Sequence, residues 1–385
     1  MKFQALNTPD KRLSPLVTAK PSCGCSVAES LSAREAAPPF VTGYIRAKTG
    51  DMPVVSTILS SRDKWETVKA RMSTFRMSFS VKPGLYAVGA PDENSDVFVT
   101  ANYKMSFDAV RSSLNGLNAW IMVLDTKGIN VWCAAGKGTF GTGELLNRIS
   151  RTKLAENVLH RKIILPQLGA PGVNSGEVRR KSGFSVMYGP VRAEDLRKYV
   201  ENGHKCDAEM RRVRFDIIDR LILTPIEIRQ IFAKFHYFAL VVLVVFGLTP
   251  DGIIFRDSIM KGYFFLAAGL LAVFAGAFFT PVFLPFIPFR AFALKGWVAG
   301  IVLFGGVLYF TGTFVSCNIF LIISAMILFP LLSSYIALQF TGASTYTSLS
   351  GVKKELKIAF PVYISGAVLS FIFLIFYKIS DWGML

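Results

Sequence analysis

Five apolar segments, near residues 235–248, 262–280, 293–312, 315–338 and 359–379, constrain this chain more than anything else in it. A helix needs about 20 residues to cross about 30 Å of hydrocarbon, and most of the five approach that length. The first is short unless Ile231 and Phe232 join it. Inside a bilayer every backbone polar group must find its partner within the protein. The segments therefore predict an all-α transmembrane domain of five helices over residues 235–385. Pro281, Pro285 and Pro288 predict a break between the second and third helices. No Asp, Glu, Lys, Arg or His lies mid-span, where ionisable groups usually mark a transport path, so the expectation is an anchor or passive scaffold. Loops on the side of the N-terminal region carry Arg290, Lys295, Lys353, Lys354 and Lys357, against Arg256, Lys261 and Lys378 opposite. That asymmetry favours an inner (cytoplasmic) membrane with the N-terminal region in the cytoplasm.

Charge divides the chain at the same place. Of 43 Lys and Arg residues only eight follow residue 234, and of 26 Asp and Glu only four, so most of the net +17 lies in front. A basic region joined to an apolar one fits contact with anionic membrane lipid or an acidic protein. Nucleic acid is not expected, because the basic residues are scattered and not interleaved with aromatics on one segment. The five cysteines, Cys23, Cys25, Cys133, Cys206 and Cys317, are odd in number and irregular in spacing. They make no disulfide framework, which suits a reducing cytoplasm. Met1 to Asn7 holds no apolar run, so no signal peptide is expected.

Residues 1–40 carry Pro9, Pro15, Pro21, Pro38 and Pro39 with no sustained apolar period, which predicts a disordered tail. Its Cys23-Gly24-Cys25 could hold a soft metal ion; two reduced thiols is the simpler reading. Residues 41–205 predict an α/β domain, with alternation from Val54 onward. Leu85–Gly89, Val97–Thr100, Trp120–Leu124, Ile163–Leu165 and Phe184–Tyr188 read as strands. Ser106–Leu117, with Ser106 as N-cap, Glu144–Leu159, Val173–Lys181 and Ala193–Glu201 read as helices. This alternation implies a mostly parallel sheet, in which ligands sit at the carboxyl ends of strands. Those ends are Thr100, the Asp125–Cys133 region, and the Pro166–Gly172 and Gly189–Ala193 loops. Residues 206–234 form a basic amphipathic linker, with Arg211, Arg212, Arg214, Arg220, Arg229 and Lys234 among Val213, Phe215, Ile217 and Leu221. It fits an interfacial helix leading to the membrane or a solvated surface helix equally well.

The chemistry concentrates in Asn130–Gly143. Gly136 to Gly141 matches GxGxxG, but the next strand, Ile163–Leu165, runs into Pro166-Gln167 without the acidic residue a dinucleotide site requires. No nucleotide cofactor is expected. A P-loop also fails, since Gly138 follows Lys137 where Ser or Thr is required. The third reading is Cys133 as a thiolate favoured by a helix N-terminus, beside Ala134, Ala135 and Gly136, which leave room for a broad flat ligand. A buried inert cysteine is the simpler alternative. One thiol cannot enclose a zinc ion, which takes four ligands in structural sites, but it can supply one axial bond to a metal already held in a macrocycle.

The octet Asn130-Val131-Trp132-Cys133-Ala134-Ala135-Gly136-Lys137 resembles the signature of the mercury-methylating corrinoid proteins, the HgcA family. The resemblance extends to Val99–Lys104, Leu165–Val173, Tyr188–Ala193, Pro285–Pro288 and Phe340–Ser348. In its soluble domain that family is similar to corrinoid iron–sulfur proteins of acetyl-CoA metabolism. The resemblance implies a Rossmann-like corrinoid-binding α/β domain followed by the five-helix transmembrane domain. It implies a cobamide with Cys133 as catalytic residue and lower axial ligand of the cobalt. Asn130, Val131, Trp132, Ala134, Ala135, Gly136 and Lys137 would form a cap helix beneath the corrin, with Thr100, Ser106 and Ala193 around the ring or its tail. The implied activity is corrinoid-dependent methyl transfer to Hg(II), forming methylmercury. The implied partners are a small iron–sulfur ferredoxin as electron donor and, as methyl donor, a methylated folate or a corrinoid protein. Asn174-Ser175-Gly176 stands where many members of the family carry a His, which leaves that residue's role open here. Two other readings remain: a nucleotide-dependent, membrane-tethered oxidoreductase, and a non-enzymatic corrinoid-binding or trafficking membrane protein.

Overall fold

The computed structural model describes residues 37–250, 252–343, 346 and 349–384. Cys23-Gly24-Cys25, most of the expected tail, and Ser344, Thr345, Thr347 and Ser348 lie outside the described residues. The N-terminal part is a mixed α/β unit and the C-terminal part is helical.

The chain opens with an antiparallel hairpin, β1 (Val41–Ala47) and β2 (Gly50–Val55), followed by α1 (Ser61–Met72). Neither was expected from the sequence. A capping box between Ser60 and Asp63 starts α1. There follow β3 (Gly84–Val88), β4 (Val97–Ala101), α2 (Lys104–Ser113), β5 (Ala119–Leu124), α3 (Val131–Lys137), α4 (Thr142–Arg151) and α5 (Leu154–Asn157). The unit closes with β6 (Lys162–Leu165), α6 (Ser175–Ser182), β7 (Ser185–Tyr188) and α7 (Leu196–Glu201). The seven strands form one sheet in the order β1-β2-β3-β5-β4-β6-β7. Strands β5, β4, β6 and β7 are parallel, and β3 pairs antiparallel with β5. Every residue of β4 and β5 is buried, as a strand covered on both faces requires. One face packs Val99, Met122, Leu145 and Phe184; the other packs Phe98, Phe107, Ile121 and Tyr199.

Three local expectations are corrected. Ser106 is not a cap: α2 begins at Lys104, with Tyr103 at the N-cap position. The earlier start follows from a buried ion network in which Lys104 Nζ reaches Asp63 at 2.6 Å and Asp108 at 2.7 Å. Arg111, fully buried, pairs with Asp108 at 2.7 Å and Asp63 at 3.0 Å, tying α2 to α1. Second, the helix expected over Glu144–Leu159 breaks at Lys153, whose φ of 46° is left-handed. Third, α6 starts at Ser175, where Asn174 Oδ1 accepts the Glu177 N–H.

Among the described residues, five helices are long and apolar enough to cross a membrane: Ile217–Gly247, Phe255–Val282, Phe292–Phe310, Ile319–Gln339 and Ser350–Asp381. The first, α8 (Ile217–Gly247), runs through residue 234, so the later part of the basic linker, from Ile217, and the first apolar segment are one helix of 31 residues, while residues 206–216 of the linker lie outside it. It consequently carries Glu227, Arg229, Lys234 and His236, which the expected shorter span left out or placed at its edge. A short hairpin, β8 (Leu248–Thr249) with β9 (Gly252–Ile253), leads to α9 (Phe255–Phe274), which passes through a π-helical turn into α10 (Thr280–Val282). The proline-rich break follows. Then come α11 (Phe292–Phe310), α12 (Thr313–Ser316), α13 (Ile319–Gln339) and α14 (Leu349–Asp381).

Small residues let α11 and α13 pack closely. A Cβ on Gly296 of α11 would lie 2.4 Å from the Ala337 Cβ of α13, and one on Gly300 would lie 2.7 Å from Pro330 Cα. Lys295, expected in a loop, is instead buried in the first turn of α11. Its Nζ donates to the Leu284 and Ile287 carbonyls, satisfying backbone acceptors that the proline-rich break leaves over.

Candidate functional site

The carboxyl ends of β4, β6 and β7 surround a cavity of about 250 Å³. Its walls are mostly apolar, with Phe98, Val110, Ile164, Leu168 and Leu196 among them. Thr100, Ser106, Asn130, Arg192 and Ala193 also line it. Thr100 Oγ1 is buried with no hydrogen-bond partner among the described residues. A buried hydroxyl without a partner costs about 1–3 kcal/mol, so Thr100 Oγ1 does not stabilise the fold through a hydrogen bond.

A larger cleft of about 760 Å³ adjoins the cavity, and Asn130 and Trp132 line both spaces. Cys133 lines the cleft. Opposite it stand Arg71 and Arg76, at the end of α1 and in the turn beyond, and Ile222, Leu223 and Glu227 on α8. The loop that delivers Cys133 is short and clamped. Asn102 Oδ1 accepts the Thr126 N–H at 3.0 Å, the Thr126 hydroxyl at 2.8 Å and the Gly128 N–H at 3.0 Å. Glu144 Oε1 accepts the Asp125 N–H at 2.9 Å. Burial alone would push the Glu144 carboxyl up, but the Asp125 amide and the Arg148 guanidinium together hold it below its ordinary value. Lys127 and Gly128 take left-handed φ values of 60° and 70°, turning the chain back toward α3.

Asn130 is the N-cap of α3, and its Oδ1 accepts the Cys133 N–H at 2.9 Å. Cys133 is exposed, which removes the buried inert cysteine. Trp132 is 42% exposed and so is not core. Ala134 and Ala135, however, turn inward and are buried with Val131. Their small size serves close packing against the protein itself: a Cβ on Gly172 would lie 3.1 Å from Ala135 Cα and 2.1 Å from the Phe140 carbonyl. The face of α3 turned outward is Trp132, Cys133, Gly136 and Lys137. Among the described residues no group of three or more His, Cys, Asp or Glu is placed to hold a metal ion. Cys133 therefore offers one bond.

The GxGxxG match does not sit on a strand-to-helix turn. Gly136 lies in α3, Gly138 ends that helix with φ 79°, and Gly141 is the N-cap of α4. Sequence reasoning missed Asn102, whose three acceptor bonds hold the loop; its place in the Val99–Lys104 run was the available signal. It also missed Arg192, which lines the cavity and whose guanidinium donates to Asp219 on α8 at 2.6 Å.

Residues 55–200 match the CO dehydrogenase/acetyl-CoA synthase delta subunit family. The chain is 35% identical over 124 residues to the acetyl-CoA decarbonylase/synthase complex subunit gamma of Methanopyrus kandleri, covering 31% of this chain and 26% of that protein. It is 28% identical over 159 residues to the same subunit of Archaeoglobus fulgidus, covering 40% and 33%. The subunit of Methanocaldococcus jannaschii is 32% identical over 125 residues, covering 32% and 25%. The chain thus spans a quarter to a third of the length of these curated relatives.

Proposed function

We propose that this chain is a membrane-anchored, corrinoid-dependent methyltransferase whose methyl acceptor is Hg(II). The observation that carries the reading is the placing of an exposed Cys133 where a cleft meets a cavity that holds an unpartnered Thr100 hydroxyl. A macrocycle-bound metal needs one protein ligand and a broad open face. Cys133, with Trp132, Gly136 and Lys137 beside it, supplies both, and the residues present fit the group. Asn130, Thr100, Ser106 and Ala193 line the neighbouring cavity, where an appended tail of such a cofactor would lie. The similarity to acetyl-CoA decarbonylase/synthase subunits supports a Rossmann-like corrinoid domain in residues 41–205. The Hg(II) acceptor rests on the resemblance of Asn130–Lys137.

When bound, a corrinoid supplies a cobalt-held methyl group that can leave toward an electrophile. The chain's own residues do the positioning. Asn130 holds the Cys133 amide, Asn102 and Glu144 fix the loop before it, and Trp132 covers the junction of the two spaces. A thiolate at Cys133 would hold the metal and donate electron density to it, the chemistry a methyl acceptor such as Hg(II) calls for. Regeneration then calls for a small iron–sulfur ferredoxin and a methyl donor, a methylated folate or corrinoid protein. Helices after residue 234 anchor the domain in the inner membrane with the site in the cytoplasm.

The test uses the full chain in detergent with methylcobalamin, wild type against Cys133→Ala. A cobalt absorption band that shifts only in wild type, with methyl transfer to an Hg(II)–cysteine complex lost in the variant, supports the reading. Equal spectra and equal activity overturn the axial role. Corrinoid retention without any methyl transfer favours a trafficking protein, and retention of nicotinamide nucleotide instead favours an oxidoreductase.

A further inference from the structure

A second cavity, about 390 Å³, lies between α8, α9 and α13. Its walls are mostly apolar, with Phe235, Phe238, Val273, Leu332 and Ile336, and Lys234 and Tyr335 also line it. Two small residues of α9, Gly269 and Ala272, leave the room; a Cβ on Gly269 would come within 2.5 Å of the Phe238 ring. Its mouth is polar. Glu227, Gln230 and Gln339 line this cavity and also line the cleft that holds Cys133. The two spaces therefore share three polar side chains in their walls, with Cys133 lining the one and the helical region enclosing the other.

We propose that this cavity is the route by which the uncharged, methylated mercury product leaves the Cys133 cleft for the bilayer. The inference rests on the methyl-transfer reading above. Methylation replaces one of the two ligands of linear mercury(II) with carbon. The product then keeps one exchangeable ligand, and with a chloride there it is small, neutral and apolar. Such a solute enters an apolar cavity without loss of ionic hydration. An Hg(II) complex with charged thiols must shed that hydration, which costs several kcal/mol or more per charge. A mostly apolar chamber behind three shared polar side chains thus favours the product over the charged substrate.

The experiment uses the full chain in proteoliposomes, preloaded with methylcobalamin and given one addition of Hg(II)–cysteine in chloride buffer. Acid quench measures methylmercury formed; rapid separation of vesicle lipid from protein measures methylmercury released to the bilayer. Two plugging variants narrow the cavity, Ala272→Phe in its depth and Ile231→Trp at its α8 wall, and Phe238→Leu widens it. The expected result is unchanged formation in all four proteins. Release should be about ten-fold slower in the plugged forms, an added barrier of about 1.36 kcal/mol, and no slower than wild type in Phe238→Leu. Unchanged release in both plugged variants, with product formed, overturns the route and is also the outcome if a lipid chain simply fills the cavity. No product from wild type overturns the methyl-transfer reading instead. Should Ala272→Phe lose formation through misfolding, Ile231→Trp, at a half-buried position, decides alone.

Discussion

Replacing Asn102 with Ala tests whether the Cys133 loop is held from β4. In the wild-type protein Asn102 Oδ1 accepts three donors, two of them the backbone N–H groups of Thr126 and Gly128. The Thr126 hydroxyl has an alternative acceptor in the Ile129 carbonyl at 2.6 Å, so its loss costs little. The two amides have none. Thr126 is fully buried, and each buried donor left unmade costs about 1–3 kcal/mol. Gly128 is partly open to water and recovers some of its share, which leaves about 2–3 kcal/mol for the pair. That energy is local, so it should appear as easier opening of residues 125–130. At about 1.4 kcal/mol per decade, amide exchange at Thr126 and Gly128 should accelerate about 30- to 150-fold. Hydrogen-exchange mass spectrometry of the full chain in detergent, on a peptide covering residues 125–137, reads this directly. The same variant should weaken the Cys133-dependent shift in the methylcobalamin spectrum. Unchanged exchange at both amides would show that the loop is held by Glu144 and its own turn, and that Asn102 is dispensable.

Thr100→Val removes a buried hydroxyl without a partner, so the protein should be no less stable, and more stable by up to about 1 kcal/mol, while methylcobalamin binds more weakly; a loss of thermal stability in detergent would mean the hydroxyl has an intramolecular role. In a Cys23→Ser/Cys25→Ser background, iodoacetamide should modify the exposed Cys133 first and the half-buried Cys206 much later, because burial pushes the Cys206 thiol up; mass spectrometry of the time course showing Cys206 first would contradict the site geometry. Gly172→Ala should destabilise by about 1–3 kcal/mol or more, since its Cβ would meet the Phe140 carbonyl, which is backbone and cannot swing aside. Burial pushes the Asp63 carboxyl up, but Lys104 and the Ser60 hydroxyl and amide hold it well below the usual range. Its stabilisation is therefore complete above the unfolded value of about 3.9 and is lost as pH falls through the lower folded value. Asp63→Asn should be less stable at pH 7 and should flatten the acid limb below about pH 4 in a denaturation series; an unaltered acid limb would remove Asp63 from the network.

The central strands were legible because β4 and β5 are buried on both faces and read as unbroken apolar runs. The hairpin β1–β2 was not, since β1 only alternates exposed and half-buried residues and β2 passes from exposed to half-buried, so neither carries a strong apolar face. Helix α1 buries only Asp63 and Ala70, so no apolar stripe announces it; its anchor is an ion network closed by residues about 40 positions away. The site was partly legible. The N-cap Asn130 and the lone thiol stand in sequence as they do in space, but the inward turn of Ala134 and Ala135 depends on the Gly172 loop. The length of α8 was hidden because its first half mixes Asp219, Arg220, Glu227 and Arg229 with apolar residues and holds Pro225, so continuous hydropathy begins only later.

An unbroken α8 has a consequence for how partners find the site. At 1.5 Å per residue its 31 residues form a strut of about 46 Å, and the same helix that crosses the apolar layer walls the Cys133 cleft. The α/β unit is fastened to this helix where Arg192 donates to Asp219 at 2.6 Å, which restricts how it turns relative to α8. Any protein that visits the cleft would meet a mouth whose tilt follows that of α8. Collisions from much of the solution half-space are then unproductive, and a partner that itself adheres to the lipid surface gains by searching in two dimensions with its orientation already restricted.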